Sequence, residues 1–359
     1  MQRSPCHPVT RSQAGNELPL TCTSRHTAPN PMLNVKLAGL GWYLPKRIVT
    51  SAELERDYGL ESGWVERVSG IRERRRATDE TTVGMAAAAA RRALAAAAMT
   101  PDDIDLIIAA SGTQQAIPCT AAFVQHELGA PDGGSACLDL NATCLSFLFA
   151  LQTAAHLVAA GSYRAALIVS SENVARSLNP HEPTSAVLFG DAAAAAVVVR
   201  TPVGEASTVI WAQFATHSSG AELTMIRGGG TLHHPNDPAT TPEMNLFTMN
   251  GAGVYKQAVR LLGPFLDRFF TQVGWQRAEV DAVVPHQASG HGVALLSSRY
   301  GFRPAQVVTN LAERGNCVAA SIPLALAEAV AAGRITRGSR VLLMGTGAGL
   351  TLGAIGLIF

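Results

Sequence analysis

Charge, aromatic rings and long apolar runs are all scarce in this chain. Asp, Glu, Lys and Arg make up 15% of the residues and Phe, Trp and Tyr 6%. The 28 basic residues nearly balance the 27 acidic ones, leaving a formal charge of +1. That balance excludes the electrostatic footprint of a nucleic-acid binder. No uninterrupted apolar stretch reaches the length of about 18 residues that a membrane-spanning helix needs. The six cysteines (Cys6, Cys22, Cys119, Cys137, Cys144 and Cys317) form no CxxC pair and no Cys/His metal spacing. Scattered thiols in a chain this long read as reduced cysteines of a cytoplasmic protein. His233-His234 has no further ligands at metal spacing, so no metal is inferred. The glycines near the C-terminus lack the Lys-Ser/Thr ending of a phosphate loop, which argues against nucleotide hydrolysis.

The chain is rich in small and aliphatic residues. Apolar residues are 47% of the 359, and 33 are glycine, enough to bury the core of one large domain or two fused ones. Residues 1–31 stand apart, rich in Ser, Thr, Pro, Arg and His, without hydrophobic periodicity or a secretory h-region. They read as a disordered N-terminal extension, or as an over-extended reading frame with Met32 as the start; both readings stay open. From Leu33 onward, continuous apolar runs alternate with Ala-rich helical stretches, as expected for sheets covered on both faces.

An internal repeat organises that pattern. His156-Leu157-Val158-Ala159-Ala160-Gly161 and Glu328-Ala329-Val330-Ala331-Ala332-Gly333 end alike, and each precedes a basic turn and a buried-type strand. Counting seventeen residues back from each glycine lands on Cys144 and on Asn316. Ile104-Asp105-Leu106-Ile107-Ile108 likewise matches Val280-Asp281-Ala282-Val283-Val284. The chain therefore reads as a duplicated α/β unit with halves at 33–205 and 206–359. A pseudo-two-fold between the halves would bring the two helix starts together.

Cys144 follows the strand-like Leu138-Asp139-Leu140 and opens a long Ala/Leu-rich helix. A helix start gathers partial positive charge and unpaired N–H groups, which is expected to lower the thiol pKa. His286, in Pro285-His286-Gln287-Ala288, and Asn316 follow in chain order, a pattern that fits acyl-thioester chemistry on sulfur. Each residue has a plainer reading as well. A cysteine in such a helix is commonly a small buried hydrophobe, a histidine commonly ends a strand, and asparagine is a good helix N-cap. Cys119, Cys137 and Cys317 keep that plainer reading. Arg72-Glu73-Arg74-Arg75-Arg76 reads as a solvated basic loop, with docking of a carrier protein as a secondary possibility.

With those residues in hand, the chain resembles the β-ketoacyl-acyl-carrier-protein synthase III family of the thiolase superfamily, from about Val35 to Phe359. Carrying the resemblance are Trp64 followed by Ser69-Gly70-Ile71-Arg72-Glu73-Arg74-Arg75, Asn141-Ala142-Thr143-Cys144 and Phe189-Gly190-Asp191-Ala192. Pro285-His286-Gln287-Ala288, Gly315-Asn316 and Gly345-Thr346-Gly347-Ala348-Gly349 follow in the same order. The resemblance implies a thiolase-like duplicated α-β-α-β-α five-layer fold and a homodimer. Cys144 would be acylated, and His286 and Asn316 would hold the enolate formed when a malonyl-type thioester loses carbon dioxide. The backbone N–H of Cys144 and one from Ala348 or Gly349 would form the oxyanion hole. Donors would be coenzyme A or acyl-carrier-protein thioesters, the acyl carrier protein being the partner, with no further cofactor.

The resemblance also places substrate-binding positions, some of them altered. Trp64 would stack on adenine, and Lys256 would dock the carrier protein. Ala252 stands where an asparagine usually touches pantetheine, and Val68 and Pro183 stand where arginines grip the nucleotide. Ile117, before Pro118, replaces a phenylalanine beside the acyl pocket, and the expectation is a longer or branched acyl donor. The rivals are a non-decarboxylating acyltransferase, a condensing enzyme of secondary metabolism that uses longer acyl thioesters, and a silent partner subunit of a heteromeric complex. Retention of Cys144, His286 and Asn316 speaks against silence, and the absence of a cysteine between Gly345 and Phe359 speaks against a biosynthetic thiolase.

Overall fold

The computed structural model describes residues 32–359; the extension read at 1–31 lies outside the described residues. Two sheets repeat one strand order. In the first, Leu106–Ala109 pairs in parallel with Ala165–Glu172, which runs antiparallel to Ala192–Arg200, itself antiparallel to Val35–Tyr43. In the second, Ala282–Pro285 pairs in parallel with Arg340–Gly347, followed antiparallel by Thr351–Ile358 and Thr208–Thr216. The first sheet adds Ala136–Asp139 beyond Leu106–Ala109. Matching carboxylates tie equivalent strands together. Asp105 accepts the backbone N–H groups of Arg164 and Ala165 at 2.9 and 3.0 Å, and Asp281 accepts that of Arg340 at 2.8 Å.

Burial sorts these elements into five layers, α-β-α-β-α. Helices Ser146–Ala159 and Ser321–Ala331 share a core with the inner faces of both sheets. Helices Thr82–Ala96 and Thr120–Leu128 cover the outside of the first sheet, and Gly251–Val273 and Gly290–Ser298 the outside of the second. Ala192–Arg200 opens with five alanines, residues of high helix propensity, yet forms a central strand. Its alanines are fully buried, so tertiary packing overrides local preference. Small side chains also let helices close on the sheet. A Cβ on Gly39 or Gly41 would run into the carbonyls of Ala93 and Ala89 on the covering helix.

Two expectations are corrected here. The basic run is not a solvated loop: Glu73–Arg76 is a strand paired with Arg47–Thr50, and Arg74 and Arg76 are buried. Arg74 donates to the carbonyls of Val49 and Val187 and to the Ser51 hydroxyl. Burial and the neighbouring Arg76 lower its pKa to about 10. The seventeen-residue register also fails. Ser146–Ala159 has 14 residues and Ser321–Ala331 has 11, so counting from the helix ends slips by three. Alignment at the helix starts pairs Asn141 with Asn316. Their Oδ1 atoms accept the N–H of Thr143 and of Val318, each at 2.9 Å, and those two residues hold φ of +50° and +47°. The counterpart of Cys144 is therefore Ala319.

Candidate active site

Cys144 sits on a sharp elbow between the strand Ala136–Asp139 and the helix Ser146–Ala159. Thr143 holds the left-handed backbone that a threonine rarely adopts, a strain that persists only where its surroundings impose it. Ser146 supplies the brace: its hydroxyl accepts from the Ala142 N–H at 2.9 Å and donates to the Thr143 carbonyl at 2.7 Å. The Thr143 hydroxyl reaches the Ala348 carbonyl at 3.4 Å, tying the elbow to the glycine-rich turn of the other half.

The second elbow carries Asn316. Its backbone N–H donates to the Leu188 carbonyl at 2.8 Å, and its carbonyl accepts from Gly190 at 3.0 Å. A bridge of Phe189 to Asn316 completes this splice between the halves. Because Val318 occupies the Asn316 Oδ1, the Nδ2 donor has no partner among the described residues and faces the cavity. His286 follows the strand Ala282–Pro285, and a Cβ on Gly345 would collide with its side chain at 2.6 Å. Gln287 clamps that loop by donating to the carbonyls of Pro285 and Val308.

These residues meet where two chambers join. The inner chamber, about 290 Å³, is lined by Cys144, His286 and Asn316, with apolar walls that include Leu178, Met225 and Phe247. The outer chamber, about 710 Å³, contains His286 and Asn316 but not Cys144, and Trp64 and Val68 line it. Ala348 and Gly349 line the inner chamber beside the thiol. Among the described residues, neither lining includes an aspartate or glutamate, and no cluster of His, Cys, Asp or Glu could hold a metal.

Electrostatics corrects the expected thiol. Although the sulfur opens on the chamber, protein surrounds it. Burial, then the charge of Glu172, push its pKa up to about 12 against the N–H groups of Ala348 and Cys144, which pull it down. Desolvation outweighs the helix start. Glu172 escaped the sequence reading, its only signal being a carboxylate that ends the buried run Ala165–Glu172. It accepts from the N–H groups of Gly112 and Thr113 and from the Thr113 hydroxyl, at 2.7–3.0 Å. Burial nevertheless raises it to about 7. Desolvation lowers His286 to about 4, so the imidazole is neutral at physiological pH; its Nδ1 has no hydrogen-bond partner among the described residues.

The remaining positions divide. Trp64 lines the outer chamber. Ile117 does not line either chamber of its own chain and is 90% exposed. Ala252 and Lys256 are exposed near the start of Gly251–Val273, outside both linings. The apolar walls of both chambers, from strands and turns far apart in sequence, had no motif to announce them.

Comparison with known proteins follows this geometry. A family model described as 3-oxoacyl-[acyl-carrier-protein (ACP)] synthase III matches residues 138–220, and one described as its C-terminal part matches 270–358. The chain is 36% identical over 325 residues to a β-ketoacyl-[acyl-carrier-protein] synthase III of Desulfitobacterium hafniense, covering 90% of this chain and 97% of that one. It is 38% identical over 326 residues to β-ketoacyl-[acyl-carrier-protein] synthase III 3 of Streptomyces coelicolor, covering 89% and 96%. The crystal structure of 3-oxoacyl-[acyl-carrier-protein] synthase III from Aquifex aeolicus superposes with a TM-score of 0.82. It is 32% identical, with 90% of this chain and all of that one covered.

Proposed function

The chain belongs to the 3-oxoacyl-[acyl-carrier-protein] synthase III family, and on that premise we propose how its residues divide the work. The protein is an acyl-transferring condensing enzyme that makes β-ketoacyl products. The rival readings are not favoured by these relatives. The observation that supports the assignment of roles is the meeting of Cys144, His286 and Asn316 at the junction of two chambers, only one of which contains the thiol.

In the first half-reaction the Cys144 sulfur attacks an acyl thioester. The carrier thiolate departs and takes up the proton lost by Cys144. As the carbonyl oxygen gains charge, the N–H groups of Cys144 and Ala348 receive it, with Gly349 shaping the turn. The acyl chain lies in the inner chamber, away from water. In the second half-reaction a malonyl-type thioester enters the outer chamber. Neutral His286 and the free Nδ2 of Asn316 hold its carbonyl oxygen. Loss of carbon dioxide leaves the bonding pair in the enolate, whose α-carbon attacks the acyl carbonyl and releases the Cys144 thiolate, which then takes a proton from solvent. A neutral imidazole donor stabilises the enolate without handing it a proton as an imidazolium would.

The donors are coenzyme A or acyl-carrier-protein thioesters, entering past Trp64, with Lys256 at the surface of the mouth as a docking charge. No helix among the described residues is long and apolar enough to cross a membrane. The halves 33–205 and 206–359 are a duplicated unit, a reading supported by their common strand order. The chain is read as a homodimer, and Ile117, an apolar side chain 90% exposed in the single chain, is a candidate for its interface. Peptide mass mapping after incubation with an acyl thioester should find one acyl group on Cys144, and malonyl thioester should then release the β-ketoacyl product. Stoichiometric acylation elsewhere, unaffected by Cys144→Ala, overturns the assignment.

A further inference from the structure

The outer chamber is larger than the inner one and ends blindly between two helices. One helix, Gly251–Val273, contributes Val254, Tyr255, Ala258, Val259 and Leu262, a single stripe at helical spacing. From Gly251 to Leu262 that stripe runs about 16 Å at the helical rise. One end of the chamber is open, since Tyr255 is 48% exposed. The other end is closed: Leu262, Leu296 and Tyr300 are all buried. The polar atom at the closed end, the Tyr300 hydroxyl, already reaches the Val259 carbonyl at 3.4 Å.

The facing helix, Gly290–Ser298, leaves this space open by lacking a side chain. At Gly292 an added Cβ would meet only the Ser289 hydroxyl, at 3.4 Å, and the backbone there has no positive φ. A pantetheine arm suits the open end but not the closed one, where its amides would lie buried without partners. Hydrocarbon has no such requirement. Because His286 and Asn316 line this chamber while Cys144 does not, a hydrocarbon held there while the enolate forms belongs to the second thioester, not to the acyl group stored on sulfur, which lies in the inner chamber.

We propose that the blind groove between helices Gly251–Val273 and Gly290–Ser298 receives a hydrocarbon branch on the α-carbon of the second substrate, making this a condensing enzyme for alkylmalonyl thioesters. The inference rests on the decarboxylative reading above. The bonds made and broken are those of that reading: the α-carbon loses its carboxylate as carbon dioxide, keeps the electron pair, and joins the acyl carbon while the Cys144 thiolate leaves. The product is a β-ketoacyl thioester that retains the alkyl branch.

The test uses the full-length enzyme, acylated on Cys144, with malonyl, methylmalonyl, butylmalonyl and hexylmalonyl coenzyme A, products being identified by mass. Each methylene buried in the groove is worth up to roughly fourfold, and kcat/KM for butylmalonyl should exceed that for malonyl at least tenfold. Gly292→Leu and, from the opposite helix, Ala258→Phe fill the groove and, compared at equal Cys144 acylation as read by mass, should reverse that preference. Malonyl as the best of the series in the wild-type enzyme overturns the groove assignment and leaves the decarboxylative reading standing. Acylated enzyme that condenses with none of the four overturns both. A butylmalonyl preference that both filled variants retain would place the branch elsewhere and also refute the proposal.

Discussion

Reactivity of Cys144 toward iodoacetamide should still be climbing with pH at pH 10. With the thiol pushed up to about 12 by burial and by Glu172, only about 10⁻⁴ of it is thiolate at pH 8. An ordinary cysteine titrates near 8.5 and would level off above that pH. Glu172, raised to about 7, adds a second feature. Above pH 7 it is ionised and repels the thiolate; below, it is neutral and the thiol pKa falls. On acidification the rate should therefore fall, level off between about pH 8.5 and 7 while Glu172 takes up its proton, and fall again below pH 7. Glu172→Gln removes the charge. Unit charges about 8 Å apart at an effective dielectric constant of about 20 repel by roughly 2 kcal/mol, so alkylation of the variant should be faster by up to about thirtyfold above pH 9 and by roughly tenfold at pH 8, where part of the wild-type carboxyl is still protonated. The ratio should shrink toward one by pH 5.5, because the wild-type carboxyl is then neutral as well. A merely loosened site would alter reactivity by a factor independent of pH. Rates are read by mass spectrometry of the Cys144 peptide. A wild-type rate that stops rising above pH 9, or a variant less reactive at every pH, would falsify this account of the thiol.

Three further outcomes follow from the same geometry. His286→Ala and Asn316→Ala should still acylate Cys144 but lose on the order of a hundredfold or more in condensation; abolished acylation in both, with malonyl decarboxylation intact, refutes the division of labour. Folded His286 titrates near 4 against 6.5 in the unfolded chain, so its neutral form favours folding fully above pH 6.5 and that contribution is lost as pH falls toward 4. Denaturant unfolding should then show the wild type losing about 3 kcal/mol relative to His286→Asn across that window, and equal losses in both proteins would contradict it. Gly41→Ala puts a methyl group against the Ala89 carbonyl and should destabilise by about 3 kcal/mol; an unchanged Tm would show that the helix yields more easily than its packing implies.

The parts of the site legible in sequence are those where a polar residue interrupts an apolar run. His286 ends a strand of four buried residues, and Cys144 and Asn316 each precede a buried helix by a few positions. The chamber walls were not legible, because Leu178, Met225 and Phe247 are apolar residues among many and only the fold assembles them. Ile117 and Ala252 were placed by likeness to a family position, and in the single chain both stand outside the linings. The basic run misled for an energetic reason. Consecutive arginines in a strand alternate faces, and Arg74 finds backbone carbonyls inside, as a guanidinium with five donors can.

The three-residue slip in the repeat has a chemical consequence. Had Cys144 and Asn316 been true counterparts, nucleophile and donor would be alternative choices at one position of a shared elbow. The elbows instead keep the asparagine in both halves, Asn141 and Asn316, each holding a strained residue two positions on. The common element is thus the brace that fixes the backbone, and the halves differ in what they add to it. The first half adds sulfur three residues later, next to backbone donors from the second half's turn. The second half adds nothing at Ala319 and turns its brace into the chambers instead, so the Asn316 Nδ2 becomes the donor. Glu172 and Gly347 occupy matching ends of the central strands Ala165–Glu172 and Arg340–Gly347. A carboxylate thus faces the asparagine elbow, where the Ala319 N–H meets it, while glycine faces the cysteine elbow and leaves room for an oxyanion. Exchanging those two residues would bring a negative charge to the position where the acyl oxygen must gain one, so the asymmetry at this pair of strand ends decides which half stores the acyl group.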